Sequence, residues 1–436
     1  MIELGVIGRI DRFMQRRTTR WQRAMHIGQI ALPWALITII LCFGAYLRFT
    51  RLEETMGFLG DQGRDSFVVW EMHKTGIPTQ LGPAPGFGTY FRGPAYYYLL
   101  LLPFMLTGGN PVAGAALNAF IDCLTIAMLF IVGKRFFSSW VGLTAAAFWS
   151  IAPWALIFAR FMWNPNPLPF FVLVIVYALS RIIAGDQRWL LVLAPAWAIG
   201  WQLHDQMLLI LPIIAATWIV CRPRIAVKLY LSAIALALLT LAPFLVYEMG
   251  HRFTNTHEML KVIFSVLDRN KETSANSAAA QRLQQVFEQL KLQIPSGSLG
   301  WTPLAFQIAI TLGGISMLFW LRGRATRHNA IIFTLWLLTP LLYFFWPVTP
   351  AMHYMTMLLP LPFLLFGLGI DAMRRPHRLL GVLITLFLMF TVLTGFAWER
   401  GGIRAAAPDG DHLVQQSWSP SKSSLQRKDD LMHSGC

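Results

Sequence analysis

Two carboxylates and a guanidinium lie close together in the stretch Gly60-Asp61-Gln62-Gly63-Arg64-Asp65. A carboxylate at such a place can act as a general base, removing a proton from an attacking hydroxyl or amine. In an inverting transfer one carboxylate activates the nucleophile on the face opposite the leaving group. The sequence reads as a polar loop whose glycines let the backbone turn closely around a ligand. The plainer alternative is a solvated turn at a membrane surface.

Three further polar groups interrupt apolar surroundings. Arg160-Phe161-Met162-Trp163-Asn164-Pro165-Asn166-Pro167 joins two apolar runs. Its prolines suit a turn. Its Arg160 suits a phosphate, because a planar guanidinium binds one bidentately, and its two amides suit sugar hydroxyls. Gln202, His204, Asp205 and Gln206 form a second group, either satisfied polar residues at a helix end or the lining of a substrate site. His353-Tyr354 follows Pro347 and Pro350 before an apolar run. It is a helix entry, and a helix N-terminus also favours an anion. Arg92 would do the same from the first loop, or snorkel to headgroups.

The elements that must position these groups are membrane helices. The chain is 56% hydrophobic and 13% charged, with a mean hydropathy of +0.52. Soluble domains carry about a quarter charged residues. The net charge of +15 comes from 36 Lys and Arg against 21 Asp and Glu, gathered in short loops between apolar runs. That is the positive-inside pattern rather than a nucleic-acid-binding one. The cysteines, Cys42, Cys123, Cys221 and Cys436, show no metal-ligand spacing.

A spanning helix needs about 20 apolar residues. Spans are expected near 29–47, 111–133, 140–158, 166–184, 188–203, 206–221, 226–247, 303–321, 329–346, 354–371 and 379–397. The run 188–221 is divided at His204-Asp205, because adjacent ionisable residues are costly at mid-bilayer. The stretch 94–107 is too short to span and reads as an interfacial or re-entrant helix. That choice puts Lys134-Arg135, Arg181/Arg188, Arg222/Arg224/Lys228, Arg322/Arg324/Arg327 and Arg374/Arg375/Arg378 on one side. The expected fold is an all-α polytopic membrane protein of about eleven transmembrane helices, with interfacial helices in the first external loop.

Three regions follow. Residues 1–28 form a basic cytoplasmic leader, 29–398 the transmembrane domain, and 399–436 a polar tail expected to be disordered. The domain carries a first external loop, 48–110, and a long external loop, 248–302. Within the second, residues 278–294 place Leu283, Val286, Phe287 and Leu290 on one helical face, as in an amphipathic surface helix.

These motifs, in order, resemble a known group. A charged motif after the first span is followed by Gly93-Pro94-Ala95-Tyr96-Tyr97-Tyr98-Leu99 opening a short helix. Then come Gly133-Lys134-Arg135-Phe136-Phe137, Ala152-Pro153 through Phe158-Ala159-Arg160, and His353-Tyr354 through Leu359-Pro360. The pattern, over roughly 29–397, is similar to the protein O-mannosyltransferase and aminoarabinose-transferase group. These are polyprenyl-phosphate-sugar-dependent glycosyltransferases of family 39-like sequence and C-type fold. The resemblance implies a sugar carried on a polyprenyl phosphate, an acceptor glycan, lipid or protein at the outer face, and a catalytic Asp that maps to Asp61. This chain departs from the group in having Asp-Gln where many members have Asp-Glu, and Asn164 and Asn166 where many have an acidic residue. Its tail is shorter than their soluble domain. A metal is left undetermined, with Mg or Mn as the divalent candidates.

The expectation is therefore a multi-pass inverting glycosyltransferase of a plasma (inner) membrane, with its site on the external or periplasmic face. Asp61 would be the base. Arg92, Arg160 and His353 would stabilise the departing phosphate. Arg64, Asp65, Asn164, Asn166, His204 and Tyr354 would bind or position substrate. The competing class is a lipid-linked-sugar flippase or transporter, which expects ionisable residues inside spans and paired broken helices.

Overall fold

The structure is a computed structural model. It describes residues 31–86, 89–269, 280–281, 283–288, 302–323, 327–345, 352–374, 382–390 and 392. The basic leader, the polar tail, Pro347 and Pro350 lie outside the described residues, as do parts of the expected amphipathic helix and of the last span.

The described residues are helices and connecting turns. In chain order they are α1 (Ala31–Phe49), α2 (Leu52–Thr55), α3 (Gly60–Thr75), α4 (Ala95–Leu106), α5 (Val112–Phe136), α6 (Ser139–Ile151), α7 (Pro153–Ala159), α8 (Leu168–Ile183) and α9 (Leu190–Leu203). A 3-10 segment, Asp205–Ile210, then leads into α10 (Leu211–Cys221). After it come α11 (Val227–Gly250), α12 (Thr254–Arg269), α13 (Thr302–Arg322), α14 (Arg327–Leu337) and α15 (Pro360–Arg374). The turn before α15 includes the 3-10 segment Met352–Leu358.

Long apolar helices match the expected spans closely in position. Among the described residues, four are long and apolar enough to cross a membrane alone, or five with the bent pair α6–α7, so the count of eleven is not reproduced by length. The reason is visible in the breaks. Pro153 lacks an N–H and cannot continue α6, and the chain turns by 65° there. His204 is extended between α9 and the 3-10 segment, so each half of the 190–221 run is short. The short helix expected over 94–107 is α4, 12 residues long, about 18 Å.

The helices pack in a row, α13 on α15, α15 on α6, α6 on α5, α5 on α8, α8 on α9 and α9 on α11. Close approach needs small residues, because within lipid helix association rests on packing rather than apolar transfer. A Cβ on Gly369 of α15 would lie 1.9 Å from the Ala309 carbonyl oxygen of α13. One on Gly133 of α5 would lie 2.5 Å from the Cα of Gly142 in α6.

The bundle has two chemically distinct ends. At one, Arg135 donates to Ser180 Oγ (3.2 Å), Lys134 lies 4.3 Å over the Trp34 ring, and Arg374 lies 4.7 Å over Trp140. These residues end α5, α8 and α15 and begin α1 and α6. Away from this end lie Asn118 near the start of α5, Arg160 after α7, Leu203 at the end of α9 and His353 before α15. Lys134, Arg135 and Arg374, three of the basic residues expected on one side, therefore share one end of the bundle.

The C-terminal end of α1 is tied down twice. Arg48 is fully buried, and its Nε donates to Asp122 Oδ2 of α5 at 2.6 Å. Further bonds run from Arg48 to the Gly44 and Ser150 carbonyls, and from Trp149 Nε1 to Asp122. Arg160 donates to the carbonyls of Leu47, Thr50 and Arg51 and to Thr55 Oγ1. These bonds consume carbonyls that the end of α1 leaves without helical partners, and they set where α2 and α3 begin.

Candidate active site

The motif that opens the chemistry is helical, not a loop. Gly60–Thr75 form α3, and Asp61 sits in its first turn, where a negative charge suits the helix dipole. Gln62 stabilises the entry, since its Oε1 accepts the Leu59 backbone N–H at 2.9 Å. Gly60 and Gly63 have ordinary helical backbone. Their value is openness: a Cβ on Gly60 would meet nothing within 4 Å, and one on Gly63 only Phe58 at 3.9 Å.

Helical spacing places Arg64 one turn after Asp61, and its NH1 donates to Asp61 Oδ1 at 2.8 Å. The same guanidinium donates through Nε to Asp65 Oδ1 at 2.8 Å. Asp65 points the other way from Asp61. It is fully buried, accepts the Tyr97 hydroxyl at 3.0 Å, and leaves Oδ2 without a partner. Burial raises the Asp65 carboxyl to about pH 6, against the pull of Arg64 and Tyr97. Asp61 keeps 28% of its side chain exposed. Of the two carboxylates, only Asp61 is open to a substrate.

The other oxygen of Asp61 meets the second polar stretch. Trp163 Nε1 donates to Asp61 Oδ2 at 3.2 Å. The indole stacks on Phe161, with ring centroids 5.5 Å apart, and touches the His353 ring at 4.6 Å. His353 in turn lies 6.0 Å from His204 and 4.2 Å from Tyr354. Asp61, Trp163, His353, His204 and Tyr354 thus form one chain of touching groups drawn from α3, the α7–α8 turn, the α9 end and the entry to α15.

Arg92 joins this cluster from the first loop. It is buried and forks onto Asp205, with Nε and NH2 2.9 and 2.6 Å from Oδ2. Its charge reaches His204, His353 and Tyr354. Burial, with Arg92 and His353 nearby, holds the His204 imidazole well below its usual pKa, so it is neutral; its Nδ1 accepts the Gln206 N–H at 3.3 Å. Gln206 carries the neighbouring element, donating to the His353 carbonyl and to Thr356 Oγ1, both at 3.1 Å. The loop that presents Arg92 is fixed from outside. Asn255 of α12 accepts the Phe91 N–H at 2.6 Å and donates to the Phe91 carbonyl at 3.0 Å. Gly93 is required next to it, because a Cβ there would lie 2.4 Å from Gln202 Oε1.

Three sequence-selected residues have other employment. Arg160 spends its donors on the end of α1 rather than facing Asp61. Asn164 donates to the Leu203 carbonyl at 2.6 Å, tying the α7–α8 turn to α9. Asn166 donates to the Phe158 and Phe161 carbonyls and closes its own turn. Backbone carbonyls freed by the prolines there need donors, and these side chains supply them. Trp163, which orients Asp61, lies inside the same stretch, and no local spacing marks it. Asp122 has a signal of its own, since an acid inside an apolar run is costly unless paired.

The residues around Asp61 do not make a metal cradle. Both of its oxygens are bonded to donors, and among the described residues no group of three or more His, Cys, Asp or Glu is placed to hold a metal ion.

This fold is similar to that of solved membrane glycosyltransferases. Residues 91–247 match the family described as dolichyl-phosphate-mannose-protein mannosyltransferase. That segment holds Arg92, Arg160, Trp163 and His204 but neither Asp61 nor His353. Among solved structures, ArnT from Cupriavidus metallidurans bound to undecaprenyl phosphate is similar with a TM-score of 0.51 at 14% identity, over 79% of this chain and 60% of that one. The archaeal oligosaccharyltransferase AglB from Archaeoglobus fulgidus, in complex with an inhibitory peptide and a dolichol-phosphate, gives 0.53 at 10% identity, over 85% and 56%. The Archaeoglobus fulgidus oligosaccharyltransferase in complex with Zn and sulfate gives 0.52 at 11%, over 83% and 52%. The chain thus spans about three fifths or less of the length of these structures. None of the curated proteins compared matches the sequence. The match over residues 91–247 is to a family of the group that the motif order resembles, and the solved structures share the fold.

Proposed function

We propose that this chain is a membrane glycosyltransferase that moves a sugar from a polyprenyl-phosphate donor to an acceptor at the outer face of a plasma membrane. The observation that carries this reading is the carboxylate of Asp61. It is partly exposed, held on one oxygen by Arg64 and on the other by Trp163, and linked through Trp163 to His353 at the end of the bundle away from the basic loops. A lipid-linked donor keeps its tail in the bilayer and presents its anomeric carbon at such a boundary.

In the proposed reaction the acceptor hydroxyl or amine attacks the anomeric carbon as Asp61 takes its proton. The bond from that carbon to the phosphate oxygen breaks, and polyprenyl phosphate leaves with inversion. His353 and Tyr354 would meet the departing phosphate, with Arg92 lending its charge from its fork onto Asp205, and neutral His204 offers hydrogen bonds without a charge. Arg64 and Trp163 orient the base, and Asp65 holds Arg64. Arg160, Asn164 and Asn166 shape the turn that carries Trp163.

A transporter reading gains one feature, the Arg48–Asp122 pair inside the spans. Both oxygens of that carboxylate are bonded, so the pair serves as a staple rather than as a carrier. The test is conversion of a panel of polyprenyl-phosphate sugars by purified protein in detergent, where there is no membrane to cross. Loss of one donor with release of polyprenyl phosphate supports the transferase; a protein inert in detergent but active in moving lipid across vesicles contradicts it.

A further inference from the structure

A cavity of about 310 Å³ opens at the basic end of the bundle, far from Asp61. It lies among the start of α1 (Leu32, Pro33, Leu36), the start of α6 (Trp140, Leu143) and the end of α15 (Arg374). Its size falls at the lower edge of the range for ligand pockets, roughly 300–1,000 Å³. The walls are apolar apart from one guanidinium.

That guanidinium is incompletely used. Arg374 NH2 donates to Asp371 Oδ1 at 2.9 Å, and the plane of the group lies against Trp140. Its Nε is buried and has no hydrogen-bond partner. A buried N–H donor left unbonded is costly and calls for an acceptor. A second cation stands near the rim: Lys134 is exposed and lies over the ring of Trp34, next to Pro33.

We propose that this cavity binds an anionic phospholipid of the cytoplasmic leaflet. One acyl chain fills the apolar space between α1 and α6, and the headgroup phosphate accepts from Arg374 Nε with Lys134 close by. The location fits the chemistry, because a positive-inside protein presents this end to the leaflet that carries anionic lipid. A neutral, zwitterionic lipid would satisfy the walls but gain less from the two cations. The occupant seats α1 against α6 and α15, the same three elements whose other ends frame the candidate active site.

The experiment is native mass spectrometry of the full chain after exchange with phosphatidylglycerol or phosphatidylcholine of identical acyl chains. Wild type should retain one phosphatidylglycerol about tenfold more readily than phosphatidylcholine, because both carry the phosphate but only the first keeps a net negative charge beside Arg374 and Lys134. Arg374→Gln should lose that preference, Arg374→Lys should keep it, and Leu36→Trp, which fills the cavity, should lower retention of both lipids. All variants are first checked for a single monodisperse species, and Arg374→Lys distinguishes loss of charge from loss of fold. Equal retention of the two lipids by wild type, no lipid retained, or a preference unchanged in Arg374→Gln or retention unchanged in Leu36→Trp overturns the proposal.

Discussion

Trp163 Nε1 donates a hydrogen bond to Asp61 Oδ2 across 3.2 Å, joining residues 102 positions apart. The indole therefore fixes which lone pairs of the carboxylate remain for an acceptor. Trp163→Phe keeps an aromatic ring against Phe161 and His353 but removes the donor. It should lower kcat roughly ten- to hundredfold, the scale of a mis-set reacting group, while leaving the thermal midpoint in detergent nearly unchanged. A large loss of stability with unchanged kcat would assign Trp163 to packing.

Asp65 predicts a pH dependence whose sign can be worked out. Its carboxyl is raised to about pH 6 in the folded protein from an ordinary value of 3.8. The folded state then holds this proton more tightly than the unfolded chain. The stabilisation is complete below about pH 4 and is lost as pH rises through 6, by an amount on the order of 2–3 kcal/mol. Asp65→Asn should remove that slope. Unfolding curves of both proteins between pH 4.5 and 7.5 measure it, and parallel curves would show that Asp65 ionises normally.

Arg160, expected to face the phosphate, is bonded to the end of α1. Arg160→Gln should destabilise the protein by on the order of 2–3 kcal/mol, since carbonyls lose a charged donor. Donor KM in the surviving folded fraction should change little. A KM increase without loss of stability would restore the phosphate role.

Gly369 permits α15 to touch α13. Gly369→Val places a methyl-bearing carbon on the Ala309 carbonyl and should prevent native packing, whereas Gly314→Ala, where a Cβ meets nothing within 4 Å, should be tolerated. Expression level and monodispersity of the two variants compare them directly.

Much of this was legible from residue order. Apolar length located the helices within a few residues, and of the loop charges Lys134, Arg135 and Arg374 lie at one end of the bundle. Asp61, Arg92, His204, His353 and Tyr354 were selected separately and converge in space. Other features were hidden for physical reasons. Two glycines disguised the start of α3 as a loop, although Asp61 with Arg64 one turn later is a helical pair. Arg160, Asn164 and Asn166 have side chains equally suited to a ligand or to orphaned carbonyls, and only three-dimensional placement distinguishes the two. The bond from Trp163 to Asp61 joins distant segments, so no local spacing announces it. Asp122 was readable, as an acid within a span preceded by Arg48 at the end of another.

The most direct test concerns Asp61 itself. Asp61→Asn preserves the size of the side chain and one of its two acceptor contacts, that with Arg64 or that with Trp163, while removing the base. Release of polyprenyl phosphate from the cognate donor should fall at least about a hundredfold, with insertion and thermal midpoint retained. An Asn variant that folds and turns over at the wild-type rate would contradict the account.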